Sequence, residues 1–174
     1  MKRNVKSYVL WMEFDRESMD YLEGICARLS AAGVESGILP PHMTIAFVTC
    51  DDEERLKTAV HSFLADKKFP DLYIGTIGVF KEQGTVIYLS PVVTIELLQL
   101  HAELCRVLSD CGELHRRPYV PGGWIPHIAL TGGLYGEASE LAYNIILCEF
   151  EKRNLKPGKI ALRTEGENIL SIIL

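Results

Sequence analysis

The chain has 174 residues, 48% of them hydrophobic and 24% charged, with a formal net charge of −5. That length suits one domain with a sizeable core, and the composition excludes a disordered or fibrous protein. The acidic balance speaks against a broad, sequence-blind grip on a long polyanion, but not against a nucleotide or RNA end held in a locally basic cleft. The basic start Met1-Lys2-Arg3 is followed by an apolar stretch over residues 8–12 that Glu13 cuts short. This is too short for a signal-peptide core, and no run nears the ~18 apolar residues of a membrane span. The expectation is a cytoplasmic protein with no membrane partner. Five cysteines without CxxC spacing make neither a disulfide framework nor a zinc motif. Cys26, Cys105 and Cys148 fall on helical apolar faces and are expected as buried, reduced thiols.

In chain order, residues 7–14 read as a strand. Asp15 or Ser18 caps a helix running to about residue 32, with Met19, Leu22, Cys26 and Leu29 on one face. A loop over 33–41 leads to a strand over 42–49. The acidic cluster at 51–54 opens a second helix, where negative charge suits the positive end of the helix dipole. Its buried stripe is Leu56, Val60, Phe63 and Leu64. Strands over 72–80 and 85–90 follow, joined by a turn at Gly84. A helix over 95–109 carries Leu97, Leu98, Leu104, Cys105 and Leu108 inward. A loop with Arg116, Arg117, Gly122 and Gly123 precedes a strand over 127–131. A helix over 138–151 and strands over 159–164 and 169–174 complete the chain.

The second half repeats the first. Pro41-His42-Met43-Thr44-Ile45 resembles Pro126-His127-Ile128-Ala129-Leu130, and each is followed by a turn, a helix and a strand pair. By position, residues 71–75 also align with 156–160. The reading is an α+β fold, a single bilobal domain over 1–174. Its lobes lie around 42–90 and 127–174, with antiparallel sheets facing a central cleft and helices outside.

Side chains alternate along a strand, so residues two apart share a face. Met43, Ile45 and Phe47 are expected on one side, His42, Thr44 and Ala46 on the other. In the second strand Ile128 and Leu130 oppose His127, Ala129 and Thr131. Each strand thus offers a histidine with small neighbours to a cleft. Opening a phosphodiester requires a proton taken from the attacking oxygen and one given to the leaving oxygen. Histidine titrates near neutral pH, so an imidazole and an imidazolium can share these tasks. A hydroxyl one strand step from the histidine can donate to a phosphate oxygen.

This doubled pattern resembles the two-histidine phosphoesterase superfamily, and within it the LigT-like RNA 2′,3′-cyclic phosphodiesterases, also called 2′-5′ RNA ligases. The likeness covers nearly the whole chain. It implies the bilobal fold, His42 and His127 as catalysts across the cleft, Thr44 on the phosphate, and no metal or other cofactor. It implies as partner an RNA end or a small nucleotide phosphodiester; the chain is expected to act as a monomer. The sequence departs from the family at Ala129, where a threonine or serine is usual. Thr131 lies on the same face roughly 7 Å further on and is the remaining hydroxyl there.

The loop over 115–124 adds candidates. Arginines pair with phosphate, aromatic rings stack on bases, and glycines allow loop motion. Arg117 and Tyr119, closest to the second motif, are favoured for substrate binding, while Trp124 reads equally as a core residue. His61, His101 and His115 have no repeat counterpart and are expected in packing or solvent roles. The expected activity is metal-independent hydrolysis of a 2′,3′-cyclic phosphate or related phosphodiester, with 2′-5′ ligation as its reverse. Two rival readings stand beside it: a domain that binds RNA ends without turnover, with Ala129 as the mark of lost catalysis, and a phosphoesterase acting on a non-RNA substrate.

Overall fold

Alternation in the first strand sets the frame. In the computed structural model, which describes residues 5–34, 39–164 and 167–174, β1 (Lys6–Phe14) buries Tyr8, Leu10, Met12 and Phe14 in the main core. Val9, Trp11 and Glu13 occupy its opposite face. The basic start at 1–3 and residues 35–38 of the expected 33–41 loop lie outside the described residues.

Helix α1 (Arg16–Ala31) begins at Asp15, whose carboxylate accepts the Ser18 N–H at 2.9 Å and satisfies an end-of-helix donor. Leu22, Ile25 and Leu29 form its buried centre, with Met19 and Cys26 packed at the margin. Strand β2 (Met43–Cys50) leads to α2 (Glu53–Ala65), capped by Asp52 through the Arg55 N–H at 3.0 Å. The hairpin of β3 (Leu72–Glu82) and β4 (Gly84–Pro91) turns at Gly84, with φ +91°. A Cβ there would also lie 2.7 Å from the Gly133 backbone, so two requirements select glycine. Helix α3 (Ile95–Ser109) turns Leu97, Leu100, His101, Leu104, Cys105 and Leu108 inward; Leu98, expected among them, is exposed.

Two three-residue strands, β5 (Glu113–His115) and β7 (Arg153–Leu155), stand where the sequence carries no visible alternation. Strand β6 is only Ile128–Ala129, α4 spans Gly136–Glu149, and β8 (Pro157–Arg163) pairs with β9 (Asn168–Ile173). In α4 the inward residues are Ala142 and Ile146, and Cys148 is exposed rather than buried.

The described strands form one antiparallel sheet, ordered β7-β3-β4-β6-β2-β1-β8-β9 with β5 added to β2, which curls into a half-barrel backed by helices. Helix α1 packs on α4, and α2 on α3. The α+β antiparallel architecture is the expected one, but the expected lobes, 42–90 and 127–174, do not close on themselves. The hairpin that follows each motif strand crosses to the other motif: β3–β4 lies against β6, while β8 joins β1 and β2. The intervening helix makes this exchange. Thirteen helical residues span about 20 Å and carry the chain past its own strand. Two four-strand halves result, β2-β1-β8-β9 and β6-β4-β3-β7, meeting at the pair Met43↔Ile128. The stretches 71–75 and 156–160 both open the third strand of their half, as their alignment suggested.

One register shift corrects the expected faces. Leu10 pairs with Ala46 and Trp11 with Thr44, so Ile45 is an extra residue in β2. This bulge sends both Ile45 and Ala46 into the core and turns Phe47 to the cleft side, reversing the expectation for the last two.

Candidate active site

His42 and His127 each stand one residue before a central strand, directly after a buried proline. The Nδ1 of His42 lies 2.8 Å from the Pro40 carbonyl, and that of His127 lies 2.7 Å from the Ile125 carbonyl. A carbonyl oxygen only accepts, so both rings carry their proton on Nδ1, and Nε2 is the acceptor nitrogen of the neutral ring. The proline explains the contact. It holds the preceding residue extended, which turns that residue's carbonyl back under the histidine two places on.

The pair Met43↔Ile128 sets the register between the motifs. In an antiparallel ladder it places His42 level with Ala129, and His127 level with Thr44. Burial lowers the pKa of both histidines below the ordinary value near 6.5. The Ile125 carbonyl opposes this at His127. At His42 the Pro40 carbonyl opposes it, the charge of His127 adds to it, Glu13 opposes it, and Arg163 adds. Both rings thus take up a proton only below their usual range.

The two histidines have unlike surroundings. His42 lies on Trp11, with ring centroids 4.0 Å apart, and the Arg163 guanidinium stands 4.4 Å from the centre of the Trp11 ring. Lys159 and Glu13 form an ion pair at 2.8 Å on the same face. His127 meets the edges of Phe80 at 4.9 Å and Tyr88 at 5.4 Å, while those two rings stack at 4.2 Å. Tyr88 lies across Gly78, where a Cβ would come within 2.3 Å of the ring. A cavity of about 590 Å³ opens here, lined by His127, Phe80, Val86, Tyr119, Arg116 and neighbouring residues.

The other sequence candidates divide. Thr44 is half-buried on the cleft face, and its carbonyl accepts the Trp124 indole N–H at 3.1 Å. Tyr119 lines the cavity, 6.1 Å from His127 and edge-on to Phe47. Arg117 is exposed in the short 3-10 turn Arg117–Tyr119, and Arg116 takes its place at the cavity wall. Thr131 is 3% exposed and its hydroxyl accepts the Ile87 N–H at 2.9 Å, so it is occupied in extending the sheet beyond β6. Ala129, level with His42, is exposed. Trp124 packs inward, stacked at 4.0 Å on the buried His101, whose Nε2 donates to the Ile45 carbonyl at 3.2 Å.

Sequence reading missed Trp11, Arg163, Phe80 and Tyr88 as neighbours of the motifs; Arg116 stands in the candidate loop, where the sequence favours Arg117. Trp11 and Tyr88 carry a usable signal, since each alternates with fully buried residues on a strand beside a motif strand. Among the described residues, no three His, Cys, Asp or Glu side chains cluster as a metal site requires. No described helix is long and apolar enough to cross a membrane.

An α+β half-barrel with one tethered histidine at each of two repeated central strands defines a protein of the two-histidine phosphoesterase type. The family model described as the 2′-5′ RNA ligase superfamily matches residues 27–162, and the chain belongs to that superfamily. No curated protein matches in sequence. Among solved structures, E. coli LigT complexed with 3′-AMP is similar over 98% of this chain and 99% of that chain, with 14% identity and a TM-score of 0.62. Kluyveromyces marxianus Usb1 is similar over 97% and 98%, with 8% identity and a TM-score of 0.56. At these identities the likeness concerns the fold, and both share the architecture described above.

Proposed function

We propose that the protein is a metal-independent phosphoesterase that hydrolyses a 2′,3′-cyclic phosphate, or a related phosphodiester, of RNA ends or nucleotides. The observation that carries this reading is the matched tether of the two histidines, each with Nδ1–H on a carbonyl two residues back and Nε2 available. One neutral Nε2 takes the proton of the attacking water as its oxygen bonds to phosphorus. The other ring, protonated, gives its Nε2 proton to the sugar oxygen as the P–O bond breaks. The exchange leaves the first ring charged and the second neutral, and proton return through solvent resets the pair. With an RNA 5′-hydroxyl in place of water, the same steps join two ends through a 2′-5′ link.

Thr44 donates to a non-bridging phosphate oxygen, level with His127. The terminal nucleoside lies in the cavity beside Phe80 and Tyr119, where rings can stack on a base. Solution of LigT with 3′-AMP, a nucleotide bearing a 3′-phosphate, supports this class of ligand.

The test is hydrolysis of nucleoside 2′,3′-cyclic phosphates in EDTA by wild type, His42→Ala and His127→Ala. Turnover that persists in EDTA and collapses in both variants is the expected result. Turnover unaffected by either substitution contradicts the mechanism. The exposed Ala129 supports a second reading, a domain that binds RNA ends without turning them over. Silence of the wild type, with binding retained and activity appearing in Ala129→Thr, selects that reading.

A further inference from the structure

Arg116 joins two cavities on the cleft side of the sheet. The first, of about 590 Å³, holds His127; the second, of about 450 Å³, lies over Val9 and Phe47 and is bounded by Lys6, Thr164 and Arg116 itself. Val9, Phe47 and His115 form one row across β1, β2 and β5, continued on β8 by Arg163. Ser7 Oγ lies 3.1 Å from His115 Nε2 at the margin. A ligand ending at His127 therefore has a second concave space to enter, and Arg116 lines both.

Arg116 is held for this position. Among the described residues it is the one non-glycine residue with positive φ, at +65° with ψ 94°, a conformation L side chains avoid. Its guanidinium lies 4.1 Å from the centre of the Phe47 ring. That contact holds the guanidinium against the ring, and a guanidinium so placed can still offer N–H donors to an anion. Within the described residues no carboxylate pairs with it, whereas Lys6 across the cavity is engaged by Glu53 at 3.2 Å.

The geometry points to a second nucleotide subsite: Arg116 takes the phosphate that links the terminal nucleotide to the one before it, and the cavity over Phe47 and Val9 takes that preceding nucleotide. This rests on the proposed function and deepens it, since the ligand it selects is the end of an oligonucleotide rather than a mononucleotide. Arg117, the neighbour favoured by the sequence, has no part in it.

The test is equilibrium binding, free of any need for turnover. Adenosine 3′-monophosphate and the dinucleotide ApAp, which bears a 3′-phosphate, are titrated by calorimetry into wild type, Arg116→Gly and Arg116→Lys. Glycine accepts the positive φ, so Arg116→Gly removes the charge while relieving the backbone. Wild type should bind ApAp at least about tenfold more tightly than the mononucleotide, as one charge-assisted phosphate contact predicts. In Arg116→Gly that ratio should fall toward one and the salt slope for ApAp should drop by about 0.7, with Arg116→Lys between. A wild-type ratio near one, a ratio unchanged in Arg116→Gly, or no binding of either ligand overturns the subsite. Hydrolysis of the dinucleotide 2′,3′-cyclic phosphate by His42→Ala at the wild-type rate would instead overturn the catalytic reading, and leaves the binding ratio as a separate result.

Discussion

The two halves of the sheet present the same histidine in opposite company. In β2-β1-β8-β9, His42 rests on Trp11 beside Arg163 and the Glu13–Lys159 pair, with Thr44 one strand step away. In β6-β4-β3-β7, His127 is enclosed by Phe80, Tyr88 and Tyr119, and the position matching Thr44 is Ala129. The backbone tether of the ring is common to both; the Thr44 hydroxyl and the charges of Arg163, Glu13 and Lys159 belong to the first half, and Arg116 reaches the His127 cavity from the loop after β5. The two motifs thus share what fixes the ring and differ in what surrounds it. Under the proposed function, the polar half serves the phosphate and the aromatic half the nucleoside.

Each element of that division can be broken separately. Replacing either histidine by alanine should lower kcat by about 10²–10⁴-fold, the usual contribution of a general acid or base. The double variant should be little worse than either single one, since the two act as a unit; steady-state kinetics on a cyclic phosphate reads both. Thr44→Val keeps the shape of the polar half and removes its hydroxyl. It should reduce kcat by about 10²–10³-fold, the cost of one oxyanion donor. Phe80→Ala strikes the aromatic half and should appear in KM, rising about 5–150-fold if a base stacks there at about 1–3 kcal/mol. The smallest effect on catalysis belongs to Thr131→Val. It leaves the buried Ile87 N–H without its acceptor and should cost about 1–3 kcal/mol in chemical denaturation, with kcat and KM near wild type. A large kcat loss in Thr131→Val would return that hydroxyl to the phosphate site and blur the contrast between the halves.

Much of this arrangement was legible in particular residues. Asp15 and the acidic cluster at 51–54 mark helix starts that form where expected, and the repeated Pro-His pairs mark the strands at the seam. The exchange of hairpins was not legible, because pairing partners are chosen in three dimensions and alternation records only which face is buried. Phe47 escaped for a local reason: a one-residue bulge at Ile45 reverses every later side chain, and no residue type announces it. Strands β5 and β7, three residues each, are too short to show a period. Thr131 read as a cleft hydroxyl until the shortness of β6 left the Ile87 N–H needing an acceptor. Closeness to the second motif favours Arg117 in sequence, but the residue at the cavity wall is Arg116, whose positive φ no sequence pattern announces.

The central claim is that His42 and His127 divide one proton between them, and the pH dependence of kcat/KM on a 2′,3′-cyclic phosphate tests it most directly. Burial lowers both pKa values from about 6.5, so the singly protonated pair is populated below that pH. Above it both rings are neutral and no acid remains; at lower pH both are charged and no base remains. A bell-shaped profile with its maximum below pH 6.5, lost when either histidine is replaced, is the predicted result. A profile that keeps rising through neutrality, or a bell that survives in His42→Ala and His127→Ala, would contradict it.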